Sequence, residues 1–339
     1  MTMTHRERIR TIIAGGTADR TGLWLGNPYP DSWQGLHSYF GTTTEEEWRC
    51  KMQDDFRWIC PQFFASGYHH PEGKPLSFKG NKKFHGEAGP FANTEDVRDV
   101  EKYDWPKPEY MDFDECLNTL RNAGDTYRAS GMWSCFYHDV MDLFGLDNYM
   151  VKMYTNPDVV EAVTDHVCQF YYDVNEMFFP LAKGEVDAFF FGNDFGTQQD
   201  IITGPKLFDK FIMPWFRKFT EQGHRHGLQV ILHSCGAIHR VIPRLIDAGV
   251  NCLHPLQARA RNMDAETLAR DFKGKIAFLG GIDTQYLLVN GTPEDIKADV
   301  RRVRGLLGPG LIVSPSHEAI LPDVPPANVE AMAQAALED

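Results

Sequence analysis

No apolar stretch in this sequence approaches the roughly 20 residues that a membrane-spanning helix needs. A basic patch is also missing. Acidic residues outnumber basic ones, 47 to 34, and the net charge of −13 is spread along the chain. That excludes the phosphate-facing surface of a nucleic-acid binder, so none is expected as a partner. Cysteine is sparse: seven in 339 residues, odd in number and scattered among apolar runs. No disulfide framework is expected, and the thiols read as reduced, with one or two free to serve a function. Met1 to Arg10 are polar and charged, and the apolar stretch behind them is too short for a signal peptide. Internal repeats, low-complexity tracts and domain-separating linkers are lacking. No strand-like run leads into the glycine fingerprint of a dinucleotide fold. These absences point to a soluble cytoplasmic protein. Its composition, 42% hydrophobic and 24% charged, is ordinary for a globular core.

What is present is an alternation of short apolar runs and amphipathic helices. The runs in the second half are Val186–Phe191, Leu228–Leu232, Asn251–Pro255, Ile276–Leu279 and Leu311–Val313. Asn156-Pro157 and Thr292-Pro293 open helices as N-cap and first-turn proline. Val160, Val163, Val167, Val174 and Phe178 recur at near-helical spacing in the first. Ile296, Val300, Val303 and Leu307 do so in the second, with Gly308 as its stop. Three more strands are expected at Gly22–Leu25, Trp58–Cys60 and Met132–Phe136, giving eight in all. Strand and helix alternating at spacings of about 20 to 40 residues mean parallel βαβ units. The expected fold is α/β: a single (β/α)8 TIM-barrel domain over 1–339, with an irregular Gly-, Pro-, Lys- and His-rich insertion at about 67–108.

In such folds chemistry gathers where strands end and βα loops begin. Five consecutive strand ends here carry Asp194, His233 with Cys235, Gln257, Asp283, and His317 with Glu318. In extended chain, residues two apart face the same side, so the His233 imidazole and the Cys235 thiol can converge on one ion. Both are good zinc ligands, and a catalytic zinc takes three protein ligands and keeps an open position. His317 is the best third ligand, with Glu318, Cys252 and His254 behind it. The plainer alternative makes Cys235 a small core residue and His233 a hydrogen-bonded strand-end histidine. Asp194, Gln257 and Asp283 are the candidates for acid–base or substrate-orienting work, although either aspartate can instead cap a helix. Trp24, Asn27 and Tyr29 at the end of the first strand and in the loop that follows, and Trp133 and His138 in the aromatic Met132–Asp139 stretch, are candidate substrate-binding residues. They fit the wall of a barrel mouth, while aromatic core is the competing explanation for Trp133 and its neighbours.

His233-Ser234-Cys235-Gly236, followed by Ile242-Pro243, Gly249 and Pro255-Leu256-Gln257, resembles the uroporphyrinogen decarboxylase superfamily. Asn193 to Gln198, Gly280 to Asp283, Gly291-Thr292-Pro293 and Pro322 to Val329 add to the likeness, which is closest to the zinc- and cobalamin-dependent methyltransferase branch. The resemblance implies a barrel with a funnel-shaped site at the strand C-termini. It also implies a zinc held by a His-x-Cys pair and a further cysteine near the last strand. His233 and Cys235 match the pair; where the cysteine would stand this chain has His317. Two imidazoles and one thiolate would leave Zn²⁺ at a formal +1, a stronger Lewis acid than the neutral centre of two thiolates. The implied activity is methyl transfer between a small substrate and a corrinoid cofactor (cobalamin) carried in trans by a partner protein.

Two other activities fit the same family pattern. A metal-free decarboxylase-like lyase would need arginines for a polycarboxylate substrate, and Gly26 to Phe40 contains neither Arg nor Lys. A non-catalytic barrel binding a tetrapyrrole or small ligand would leave His233 and Cys235 with structural roles.

Overall fold

A computed structural model describes residues 2–78 and 87–338. Eight parallel strands form one sheet in the order β1-β8-β7-β6-β5-β4-β3-β2. They are β1 (Gly22–Leu23), β2 (Phe56–Trp58), β3 (Tyr127–Ser130), β4 (Ala188–Gly192), β5 (Gln229–His233), β6 (Cys252–His254), β7 (Ala277–Ile282) and β8 (Leu311–Pro315). Between β1 and β2 the Asp55 N–H donates to Leu23 O at 2.9 Å, which draws the sheet into a nearly closed barrel. Helices lie between the strands, and the fold is a single-domain (β/α)8 TIM barrel.

Alternation along the strands divides two cores. Phe189 and Phe191 face the helices, while Ala188 and Phe190 face the barrel axis. The axial core also holds Trp24, Phe56, Tyr127, Ile231, Cys252, Leu279 and Ile312. Its lower end is stoppered by Ile9, Ile12 and Ile13 of the N-terminal helix His5–Ile13. Carboxylates rivet that helix to the N-terminal ends of the strands. Arg6 and Arg10 pair with Asp187, and Arg8 and Arg20 pair with Asp55.

The expected helices follow their punctuation. Thr292 forms a capping box with Asp295 at the start of Pro293–Leu307, and Ile296, Val300, Val303 and Leu307 are buried. Pro157–Leu181 begins on its proline, but Asn156 makes no side-chain cap.

One strand is misplaced outright by the sequence, and β2, expected at Trp58–Cys60, begins two residues earlier at Phe56. Met132–Phe136 is loop and helix start; β3 lies earlier, at Tyr127–Ser130. Gly131 at φ +96° and Ser134 at φ +46° take the chain out of extended conformation there. The β3 segment hides its nature behind Arg128, which is buried and paired with Glu185 at 2.7 Å. Within 67–108, the described residues hold one short helix, Val97–Val100, and a bridge from Tyr68 to Met111; 79–86 lie outside the described residues. Among the described residues no helix is long and apolar enough to cross a membrane.

Candidate metal centre at the barrel mouth

β5 ends at His233, and the chain then turns over the mouth through Ser234, Cys235 and Gly236. Gly236 sits at φ +88°, where an added Cβ would stand 2.2 Å from Gly196 O. Only glycine lets the β5 and β4 loops approach so closely. Side chains fix the turn. Asp194 Oδ1 accepts from the Cys235 N–H at 2.8 Å, and Gln257 Oε1 accepts from the Gly236 N–H at 2.7 Å. Ser234 Oγ accepts from the Phe195 N–H at 3.1 Å and the Ala237 N–H donates to Thr197 O at 2.7 Å, further tying the loops after β4 and β5 together.

This framework brings three ligand atoms together. His233 Nε2 lies 3.4 Å from Cys235 Sγ and 3.2 Å from Asp194 Oδ1. All three lie within 4.8 Å of one another. A tetrahedral zinc with bonds of about 2.0–2.3 Å separates its ligand atoms by roughly 3.3–3.8 Å, so the group fits zinc with little movement. One imidazole, one thiolate and one carboxylate are also a donor set suited to it. His317 stands further back: its ring centre is 6.4 Å from that of His233, and its Nδ1 accepts from the Ala319 N–H. It is half exposed in the loop after β8.

The electrostatics favour a cation here. Burial alone would depress the basicity of His233, but the carboxylates of Glu318 and Asp194, with Cys235, raise its pKa well above the usual 6.5. A proton on His233 thus supplies the positive charge the group calls for. Burial pushes the Cys235 thiol up, against the pull of His233. A metal ion reverses that, since a coordinating thiol is deprotonated outright. Burial also opposes ionisation of Asp194, yet His233 and the Cys235 N–H hold its pKa far below the ordinary carboxylate range.

His254 lies beneath. It ends β6 in register with His233, its Nδ1 is 2.9 Å from His233 Nδ1, and burial holds it neutral. For His233 to present a free Nε2 lone pair, its Nδ1 must carry the proton, and His254 Nδ1 must accept it. Glu318 Oε2 is 3.5 Å from both His233 Nδ1 and His317 Nδ1.

The other expected residues take varied places. Trp133 forms a wall, its ring centre 5.3 Å from that of His233 and 4.7 Å from that of Trp58. His138, on the helix Phe136–Phe144, is near enough to act electrostatically on Asp194. Tyr29 is half exposed, and Asn27 Oδ1 accepts from Arg49. Trp24 is fully buried in the axial core against Phe56, Phe190 and His254. Asp283 accepts from the Gln285 and Leu287 N–H groups and lies 3.4 Å from Arg259, so it caps the turn after β7. Cys252 is an axial core residue. The sequence reading passed over Asn193, which joins the β3 and β4 loops: its Oδ1 accepts from the Tyr137 N–H and its Nδ2 donates to Ser134 O.

Comparison with known proteins now bears on this site. The family model described as Uroporphyrinogen decarboxylase (URO-D) matches residues 84–338. The chain belongs to that family. Among curated proteins it is similar to "Methylcobamide:CoM methyltransferase MtbA" of Methanosarcina mazei, 24% identical over 190 residues, covering 56% of this chain and 52% of that protein. The Methanosarcina acetivorans protein of the same name is 24% identical over 194 residues, with the same coverage. This URO-D family chain thus spans about half the length of the curated relatives it matches. A solved structure described as "methyltransferase from Methanosarcina mazei" superposes with a TM-score of 0.67 at 13% identity, covering 98% of both chains. That likeness bears on fold alone.

Proposed function

We propose that this URO-D family barrel is a zinc-dependent methyltransferase that moves a methyl group between a small substrate and a corrinoid cofactor carried by a partner protein. The observation that carries the reading is the convergence of Asp194, His233 and Cys235 at the C-terminal mouth. The activity that names the curated relatives, methyl transfer from a methylcobamide, supplies the reaction class.

Zinc bound there supplies the Lewis acidity that activates a thiol, alcohol or ether group of the substrate. The chain's own groups do the rest. The Asp194 carboxylate both fixes the Cys235 loop and offers an oxygen to the ion. With Asp194 in place of His317 as third ligand, the centre carries no net formal charge. His254 holds the ring nitrogen of His233 in the tautomer that leaves Nε2 free. Trp133, with Trp58 packed behind it, covers one side of the imidazole. His317 is left half exposed on the other side, where it meets the incoming substrate.

A decarboxylase reading finds less support. The loop after β1, from Gly26 to Phe40, offers no Arg or Lys to a polycarboxylate.

The reading is tested by mixing zinc-loaded protein with methylcobalamin and 2-mercaptoethanol and following loss of the methylcobalamin absorbance. Catalysed demethylation is expected, and Cys235→Ser should slow it by at least about tenfold. Equal rates for wild type and variant would remove the metal group from the reaction.

A further inference from the structure

A cavity of about 470 Å³ adjoins the proposed metal group, between the loops after β7 and β8. It shares two residues with the site. Gln257 lines it and accepts from the Gly236 N–H beside Cys235; His317 lines it with its ring 6.4 Å from that of His233. A substrate reacting at the ion has this space in which to place its non-reacting end.

The charge of the wall is one-sided. Thr284, Gln285 and Ser316 are neutral, and the one fixed charge among the lining residues is the carboxylate of Asp323. Among the described residues no lysine or arginine lines the cavity. Glu318, outside the lining, adds a second carboxylate next to His317, its Oε2 3.5 Å from both His317 Nδ1 and His233 Nδ1. Arg259, beside the wall, is already engaged: it lies 3.4 Å from Asp283 and over the Tyr286 ring. An anionic substrate end placed here would lose hydration and meet no lysine or arginine among the described lining residues, while facing the Asp323 carboxylate. A hydroxyl, ether or amine finds matching partners instead. Gln257 Nε2 has no partner among the described residues, and the Thr284 and Ser316 hydroxyls touch only each other's neighbourhood at 3.4 Å.

We propose that this cavity selects the small-molecule partner of the reaction by charge, accepting a neutral or cationic molecule and excluding one that bears a carboxylate, sulfonate or phosphate. The inference rests on the methyltransferase reading of the adjoining site. It goes further by naming the substrate class that this wall admits.

Three thiols of equal length and different charge test it: 2-aminoethanethiol, 2-mercaptoethanol and 2-mercaptoethanesulfonate. Each is titrated into the full-length protein loaded with cobalt(II), and its dissociation constant is read from the visible cobalt bands. The cationic and neutral thiols are expected to bind at least about tenfold more tightly than the sulfonate. Asp323→Asn should narrow the gap between cation and anion. Sulfonate binding as tight as that of the other two, with the cobalt bands present, would overturn the inference alone. Wild-type protein that takes up no cobalt would overturn the methyltransferase reading and this inference with it.

Discussion

Replacing Asp55 by Asn perturbs the bottom of the barrel, at the N-terminal end of β2 and away from the mouth. Asp55 is fully buried and accepts from Arg8 at 2.7 Å, from Arg20 at 2.7 and 2.9 Å, from the Leu23 N–H at 2.9 Å, and from His5. Asparagine keeps the shape but removes the charge, and it turns an N–H toward a guanidinium. Breaking one partner of a buried ion pair costs about 3–5 kcal/mol. Arg8 keeps Asp19, whereas Arg20 has no second carboxylate, so the lower part of that range applies. An unfolding entropy of about 2.1 cal/mol/K per residue gives roughly 0.7 kcal/mol/K for this chain. Tm should therefore fall by about 4–6 °C, read by calorimetry or circular dichroism at pH 7. The pH dependence has a definite sign. Burial works against ionisation of Asp55, but His5, Arg20 and Arg8 hold its pKa below the ordinary 3.8. Its contribution is thus fully present above pH 3.8 and is lost as pH falls through the lower folded-state value. The gap between wild type and variant should close on acidification, while zinc content at pH 7 stays unchanged. An unaltered Tm, or a gap that persists at acid pH, would refute the clamp.

Other outcomes concern the site itself. Asp194→Ala should weaken zinc binding by about 100-fold or more in a chelator competition, and His317→Ala by less than about tenfold; the opposite order would reinstate His317 as third ligand. His254→Leu should weaken zinc binding about tenfold, and His254→Asn, which keeps an acceptor near Nδ1, should restore most of it; equal effects of the two would mean that the tautomer is not set from β6. Gly236→Ala, with its Cβ forced to 2.2 Å from Gly196 O, should lower both Tm and zinc occupancy, since a non-glycine residue at φ +88° is strained as well. A variant as stable and as fully loaded as wild type would show that the loop has room to spare.

The barrel was legible mainly where strands are largely apolar. β4 to β8 run through both cores, so each stood out as a short hydrophobic run between helix signals. β3 did not, because Arg128 lies buried in it with its charge met by Glu185, a compensation invisible without the fold. Half of the site could be read in the same way. His233 and Cys235 are two residues apart, and that local spacing survives although β5 ends at His233. Asp194 as a partner depends on how far the β4 loop leans over β5, which rests on the glycine-to-glycine approach at 196 and 236. His254 carried a usable signal: it holds the same strand-end position on β6 that His233 holds on β5. The clamp below the barrel, built from residues distant in sequence, left no local pattern to find.

The account stands on a metal at the mouth, and elemental analysis of untagged protein reconstituted with zinc tests that most directly. About one zinc per chain in the wild type, lost in Cys235→Ser with the fold intact, is the predicted result. Wild-type protein that remains metal-free after reconstitution would contradict the account.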